Sequence, residues 1–137
     1  MRVSGKKGMI KNLFMDNGFL YQDLTEKVIK CFYTVHDALG EGFLESVYEK
    51  ALMIELEDAG FKAESQRSLN VYYKGRLVGD FKADIVIADK IVIEIKAVSR
   101  LAPQHEAQLI NYLKATGIKV GLLVNFGEKL EFKRRVF

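Results

Sequence analysis

Two stretches in the middle of the chain, Phe81–Ile87 and Ile91–Val98, alternate side-chain type with a period of two, and this alternation constrains the fold most. Successive side chains of a strand point to opposite faces of the sheet. Phe81, Ala83, Ile85 and Ile87 therefore share one face, with Asp80, Lys82 and Asp84 on the other. In the second stretch Ile91, Ile93, Ile95 and Ala97 share a face opposite Val92, Glu94, Lys96 and Val98. Both isoleucine rows must enter one core, which requires an odd connecting loop; three residues, Ala88–Lys90, pair Ile87 with Ile91. The same register sets Asp84 directly across from Glu94, with Lys96 two residues further on.

Two carboxylates facing each other across neighbouring strands repel unless a cation joins them. Lys96 is one candidate and a divalent metal is another. Hard cations such as Mg²⁺ or Mn²⁺ take oxygen ligands, often one or two carboxylates together with substrate phosphate. A lysine beside such an ion could orient or deprotonate a water, or stabilise negative charge in a phosphoryl transition state. The competing account is a solvated polar strand face holding a surface ion pair.

Before this region the apolar period is helical. Leu24, Val28, Cys31, Val35 and Leu39 predict a first helix, with Asp23 and Glu26 spaced as a capping box and Gly40 as the stop. A second helix is expected from about Leu44 to Ala59, with Leu44, Val47, Tyr48, Ala51, Leu52 and Leu56 facing inward and Gly60 ending it. Ser68–Tyr73, Leu77–Ile87 and Ile91–Val98 then read as a three-strand meander, with turns at Lys74-Gly75 and Asp89-Lys90. A third helix opens at Pro103 and closes at Gly117, and Lys119–Phe126 and Leu130–Val136 are the last two strands. The order predicts an α/β protein with a mixed, mainly antiparallel-meander sheet and helices packed on it.

The helices add polar groups near this pair. Glu45 and Tyr48 share a stripe of the second helix, although a carboxylate in a first turn is also explained by the helix dipole. Gln108 and Tyr112 lie four apart on the third helix, where they could hold a phosphate or base edge or simply line the helix. His36 and His105 are left outside the metal set.

A length of 137 residues with 49% apolar side chains suits a single domain, expected over residues 21–137. Residues 1–20 read as a basic N-terminal extension and loose tail. Arg2, Lys6, Lys7 and Lys11 give the first dozen residues +4 and the last ten carry +2, so the body between them carries −3 of the net +3. Basic ends around an acidic body suit contact with phosphates while the body holds a cation, or act as solubilising tails. Apolar runs are too short for a membrane span or a signal peptide. The one cysteine, Cys31, excludes an internal disulfide and points to a reducing, cytoplasmic setting.

The run Gly42-Phe43-Leu44-Glu45-Ser46-Val47-Tyr48 is a G-x-x-E-x-x-Y motif and resembles the family of small proteins named for it, within the PD-(D/E)XK nuclease superfamily. The similarity continues through Val71–Gly75, Phe81-Lys82-Ala83-Asp84, Ile93-Glu94-Ile95-Lys96-Ala97, His105–Leu109 and Gly121–Gly127, over roughly residues 22–137. It implies a restriction-endonuclease-like αβββαβ core. It further implies that Asp84 and Glu94 ligate Mg²⁺ or Mn²⁺, that the Ile95 carbonyl and Glu45 complete the ligand set, and that Lys96 is the catalytic lysine. Gln108–Tyr112 is similar to the Q-x-x-x-Y motif of RecB-type nucleases, which implies that Gln108 and Tyr112, with Tyr48 nearby, bind substrate. Ala83 stands where the superfamily name has proline, and Glu41 stands between glycines where proline is expected.

The expected activity is metal-dependent hydrolysis of phosphodiesters in DNA rather than RNA, with no membrane association. The alternatives are a nucleic-acid-binding or interaction module without turnover, and a structural protein whose acids and Lys96 form an ion-pair cluster. A domain this small shows no separate recognition element, so specificity could come from a partner, and a dimer would suit double-strand cleavage.

Overall fold

The 3.6-residue period of the first half becomes two helices in the computed structural model, which describes residues 21–137. Helix α1 spans Gln22–Leu39 and buries Val28, Cys31, Phe32 and Val35. Its start differs from expectation. Tyr21 is the N-cap, in a left-handed conformation and without a side-chain cap, so Asp23 and Glu26 form no capping box. Asp23 instead lies inside the first turn, where its charge suits the dipole. Gly40 ends α1 with φ 67°, a backbone angle that favours glycine.

Helix α2, Glu45–Asp58, turns most of the expected stripe inward, with Ala51 packed against the core. Tyr48, Leu52 and Leu56 are buried, but Leu44 is 77% exposed and Val47 is also exposed. For Leu44 the reason is the position of the helix start. Leu44 is the N-cap, in extended conformation, so its side chain leaves the helical stripe.

Among the described residues, five strands form one mixed sheet: β1 (Ala63–Tyr73), β2 (Arg76–Ile87), β3 (Ile91–Lys96), β4 (Val120–Phe126) and β5 (Leu130–Val136), in sequential order. β3 and β4 are parallel, connected through α3 (Pro103–Thr116); the other neighbours are antiparallel. β1 begins five residues before the expected Ser68, because Ala63–Arg67 pair with the end of β2 despite their polarity. β3 ends at Lys96 rather than Val98.

The inferred loop is present. Ile87 pairs with Ile91 across Ala88–Lys90. Ala88 and Asp89 both have positive φ, and Lys90 N–H donates to the Ile87 carbonyl at 2.8 Å, the geometry of a tight hairpin turn.

Each face of the sheet is covered. Ile85, Ile87, Ile91, Ile93 and Ile95 join Val120, Leu122, Val124 and Phe126 in a core packed beneath α1 and α2. On the other face Val86, Val92 and Leu123 pack against Leu109 and Leu113 of α3. Phe81 and Ala83 belong to this second cluster, not to the isoleucine core as the alternation predicted. The face of β2 switches at Asp84, opposite Gln66, whose φ is 53°. That left-handed residue twists the β1–β2 ribbon, and the site begins there.

Candidate metal centre

β2 pairs with β3 only over Ile85–Ile87. One step further, side chains replace the backbone ladder. Asp84 N–H donates to Glu94 Oε2 at 3.2 Å, and Ile95 N–H donates to Asp84 Oδ2 at 2.7 Å. Each acid thus bridges to the opposite strand, and the strands part at this point. Asp84 and Glu94 are brought together as the register requires. Because a residue in an extended strand presents its N–H and C=O to the same side, the Ile95 carbonyl also faces this gap.

The pair does not lie on a solvated strand face. Glu94 is 4% exposed, covered on the α3 side of the sheet. Burial, and next the negative charge of Asp84, push its carboxyl up to about 8; the Asp84 N–H and Lys96 act in the opposite direction. Removing a carboxylate from water beside a like charge favours the protonated form. A structural ion pair with Lys96 would satisfy this acid only in part, because Lys96 Nζ is turned to Gln108 Oε1 at 3.2 Å.

A third acid comes from α2, and it is Glu49 rather than Glu45. Gln66 Nε2 donates to Glu49 Oε1 at 2.8 Å and to Asp84 Oδ1 at 3.3 Å, joining the two carboxylates. Burial and then Asp84 raise the Glu49 carboxyl above its ordinary range. Glu45 is exposed one turn earlier and enters only as a further negative charge near Glu49. The i, i+4 spacing puts both acids on one stripe, and packing against the ribbon decides which one meets Asp84.

Tyr48 is not brought to the site. It is fully buried, stacked on Phe126 with ring centroids 4.6 Å apart. Its hydroxyl donates to the Gly40 carbonyl at 2.6 Å and accepts from Phe43 N–H at 3.3 Å. With its polar atom committed to the α1–α2 turn, Tyr48 is a structural residue rather than a substrate contact. His36 and His105 are likewise engaged elsewhere. His36 Nε2 lies 2.8 Å from the Gly127 carbonyl, and His105 Nδ1 accepts from Ala102 N–H at 3.0 Å at the start of α3.

Gln108 and Tyr112 do reach the centre. With Glu94, Asp80, Phe81 and Lys82 they line a cleft of about 120 Å³ where β2 and β3 diverge. Gln108 is exposed, while Tyr112 is buried and donates to the Arg67 carbonyl at 3.4 Å. A larger depression of about 500 Å³, lined by Glu57, Lys62, Glu64 and Asp89, lies between the start of β1 and the β2–β3 hairpin, away from the paired acids.

The sequence alone did not single out Asn125, which is buried in β4. Its amide donates to the Val98 carbonyl and its oxygen accepts from Val98 N–H, both at 2.9 Å. It clamps the segment after Lys96 and so helps fix where that lysine emerges. A buried asparagine inside an otherwise apolar strand was the available signal.

The donor set suits a hard divalent cation: two carboxylates, a backbone carbonyl facing the same gap, and a third acid close by. The observation that fits best is Glu94 itself, a buried acid beside a second acid, a combination a cation would relieve. Among the described residues, no three His, Cys, Asp or Glu side chains are drawn together tightly enough to form a complete metal site by themselves. Backbone, water or phosphate oxygens would have to supply the remaining ligands.

No helix among the described residues is long and apolar enough to cross a membrane. The basic extension expected at residues 1–20 lies outside the described residues. No curated protein matches the chain. Among solved structures, the crystal structure of SSO0001 is similar, with a TM-score of 0.54 at 22% identity, over 85% of this chain and 58% of that one. The chain therefore spans less than two thirds of that protein, and the likeness concerns the fold alone. An alkaline exonuclease, LHK-Exo from Laribacter hongkongensis, gives a TM-score of 0.45 at 13% identity, over 61% of this chain and 51% of that one. A family model described as the PD-(D/E)XK nuclease superfamily matches residues 22–135. The αβββαβ order, the paired acids at the strand divergence and this match agree, and the chain belongs to the PD-(D/E)XK nuclease superfamily.

Proposed function

We propose that the protein is a Mg²⁺- or Mn²⁺-dependent nuclease that hydrolyses phosphodiester bonds of DNA, of the subfamily named for G-x-x-E-x-x-Y. The observation that carries this is the exchange of hydrogen bonds between Asp84, Glu94 and Ile95 where β2 and β3 part, with Glu94 buried. Asp84, Glu94 and the Ile95 carbonyl would hold the cation, with Glu49 taking the place on α2 first assigned to Glu45. A divalent ion bound there would polarise a phosphoryl oxygen and acidify a bound water.

The remaining roles belong to the protein's own groups. Lys96 presents an ammonium at the cleft, held by Gln108, where it orients the attacking water or balances charge on the phosphoryl oxygens. Gln108 positions the strand through its exposed amide. Tyr112 forms a wall of the cleft and excludes water from the buried side of Glu94. A protein partner would add specificity, and a homodimer would suit cleavage of both strands of a duplex.

Incubation with single- and double-stranded DNA and Mn²⁺ tests this. The expected result is chelator-sensitive cleavage that Asp84→Ala abolishes and Lys96→Ala slows by about 10²–10⁴-fold, the usual range for a positioned proton-transfer group. Folded protein that binds DNA equally with and without chelator and never cuts it would instead make the chain a binding module on the same fold.

A further inference from the structure

β1 and β2 pair along Ala63–Tyr73 and Arg76–Ile87, yet β2 meets β3 only at Ile85–Ile87. The distal part is a two-stranded ribbon extending past the rest of the sheet. From Arg76 to Asp84 it runs roughly 25 Å at the usual rise of a strand, the reach of several nucleotides. Ribbons of this kind are marginal by themselves, and this one exposes large side chains. Tyr72 is 61% and Tyr73 64% exposed, with Leu77 and Val78 also in solvent.

The two faces differ. Tyr73 pairs with Arg76, Val71 with Gly79 and Leu69 with Phe81. Leu69 and Phe81 pack beneath α3; unbroken alternation of Leu69, Val71 and Tyr73 along β1 puts Tyr73 on the face that leads down to Gln108 and the cleft, and Arg76 joins it as the partner of Tyr73 after a register shift that leaves Val78 unpaired. Midway the Phe81 ring lies over Gly79. A Cβ at Gly79 would lie 2.9 Å from the Phe81 ring. Tyr72 and Leu77 pair on the opposite face. The charge is also uneven: between Asn70 and Lys82 three cations, Lys74, Arg76 and Lys82, face one acid, Asp80. Lys74 Nζ lies over the Tyr73 ring, 5.6 Å from its centroid.

We propose that the α3-side face of this ribbon binds the single strand of nucleic acid that enters the cleft, with Tyr73 as a stacking platform and Lys74 and Arg76 as phosphate contacts. This rests on the nuclease reading and adds a second anchor to it. The occupant follows from the chemistry. An exposed aromatic ring among cations is complementary to a base carrying a phosphate, and the face is continuous with Phe81, which lines the cleft. A protein strand would want the free backbone edge rather than the ring and the charges.

Fluorescence anisotropy of a labelled 15-nucleotide single strand, in EDTA so that nothing is cut, tests the proposal with the full chain. Tyr73→Ala is expected to weaken binding about tenfold, the scale of one lost base stack, with Tyr73→Phe restoring it. The double variant Lys74→Glu/Arg76→Glu should weaken binding at least as much, and its affinity should depend less steeply on salt. Tyr72→Ala, on the other face, should change affinity less than twofold. All these side chains are exposed, and thermal melts confirm that each variant is folded. The proposal is overturned if the Tyr73 and charge variants bind as wild type, or if Tyr72→Ala is as harmful as Tyr73→Ala. It is overturned equally if duplex of the same sequence binds more tightly without dependence on Tyr73, or if Tyr73→Ala instead dissociates a dimer. Wild type that cuts DNA while the ribbon variants bind normally removes the ribbon alone; wild type that neither binds nor cuts removes the nuclease as well.

Discussion

Glu94 is the residue on which the proposed chemistry turns. Its folded carboxyl is pushed up to about 8 by burial and then by Asp84, against about 4.3 for an unperturbed glutamate. Between these values the folded protein holds a proton that the unfolded chain has released, so in the absence of metal stability falls as pH rises from about 4.5 to about 8. Below that window the contribution is fully present. Glu94→Gln keeps an oxygen to accept from Asp84 N–H and removes the titration. In EDTA at pH 8 it should therefore be more stable than wild type, by an amount on the order of a few kcal/mol, and nearly equal at pH 4.5. Thermal unfolding at the two pH values measures this. A wild-type melting temperature flat across the range would contradict it. The meeting of Asp84 and Glu94 was legible because strand parity requires an odd loop, and the shortest one sets the two acids opposite each other. Glu49 was not. Glu45 and Glu49 occupy one helical stripe, and only the left-handed Gln66, reaching both Glu49 and Asp84, distinguishes them.

At the scale of elements, periodicity located the three helices among the described residues and the hairpin, while their contacts decided the rest. The apolar pattern alone could not show that Leu44 caps α2 instead of packing, nor that Tyr48 spends its hydroxyl on the α1–α2 turn. The early start of β1 was hidden by a polar run, Glu64–Arg67, whose place in the sheet is set by pairing with β2. The switch of faces at Asp84 was hidden likewise, because a left-handed glutamine has no sequence signature. α3 is positioned by a close approach to β4. A Cβ at Gly121 would meet Leu109 Cδ1 at 2.7 Å and Cγ at 3.0 Å, and Leu109 is fully buried, with no room to turn aside. Gly121→Ala should therefore push α3 outward and cost about 1–3 kcal/mol, as overpacking does. Since Gln108 precedes Leu109, the same variant should also lower cleavage. Denaturant unfolding and a cleavage assay on one preparation test both, and unchanged stability would show that α3 is not seated by this contact.

Over the whole molecule, the sheet divides the labour. The α1–α2 face supplies a buried core of isoleucine, valine and stacked aromatic rings against β3 and β4. The α3 face carries the cleft, the lysine and the ribbon. The acids sit at the seam, where β2 leaves the sheet and water and phosphate can enter. The family-level architecture followed from element order, whereas the reach of the ribbon required the actual pairing lengths.

The account depends above all on Asp84 and Glu94 sharing one divalent ion, and titration calorimetry with Mn²⁺ tests it most directly. At pH 7 wild type should bind the ion and release about one proton as Glu94 ionises, seen by repeating the titration in buffers of different ionisation enthalpy. Asp84→Ala should weaken binding by at least about tenfold, since a direct ligand matters no less than a supporting contact. Equal affinity in wild type and Asp84→Ala, both folded, would contradict the account.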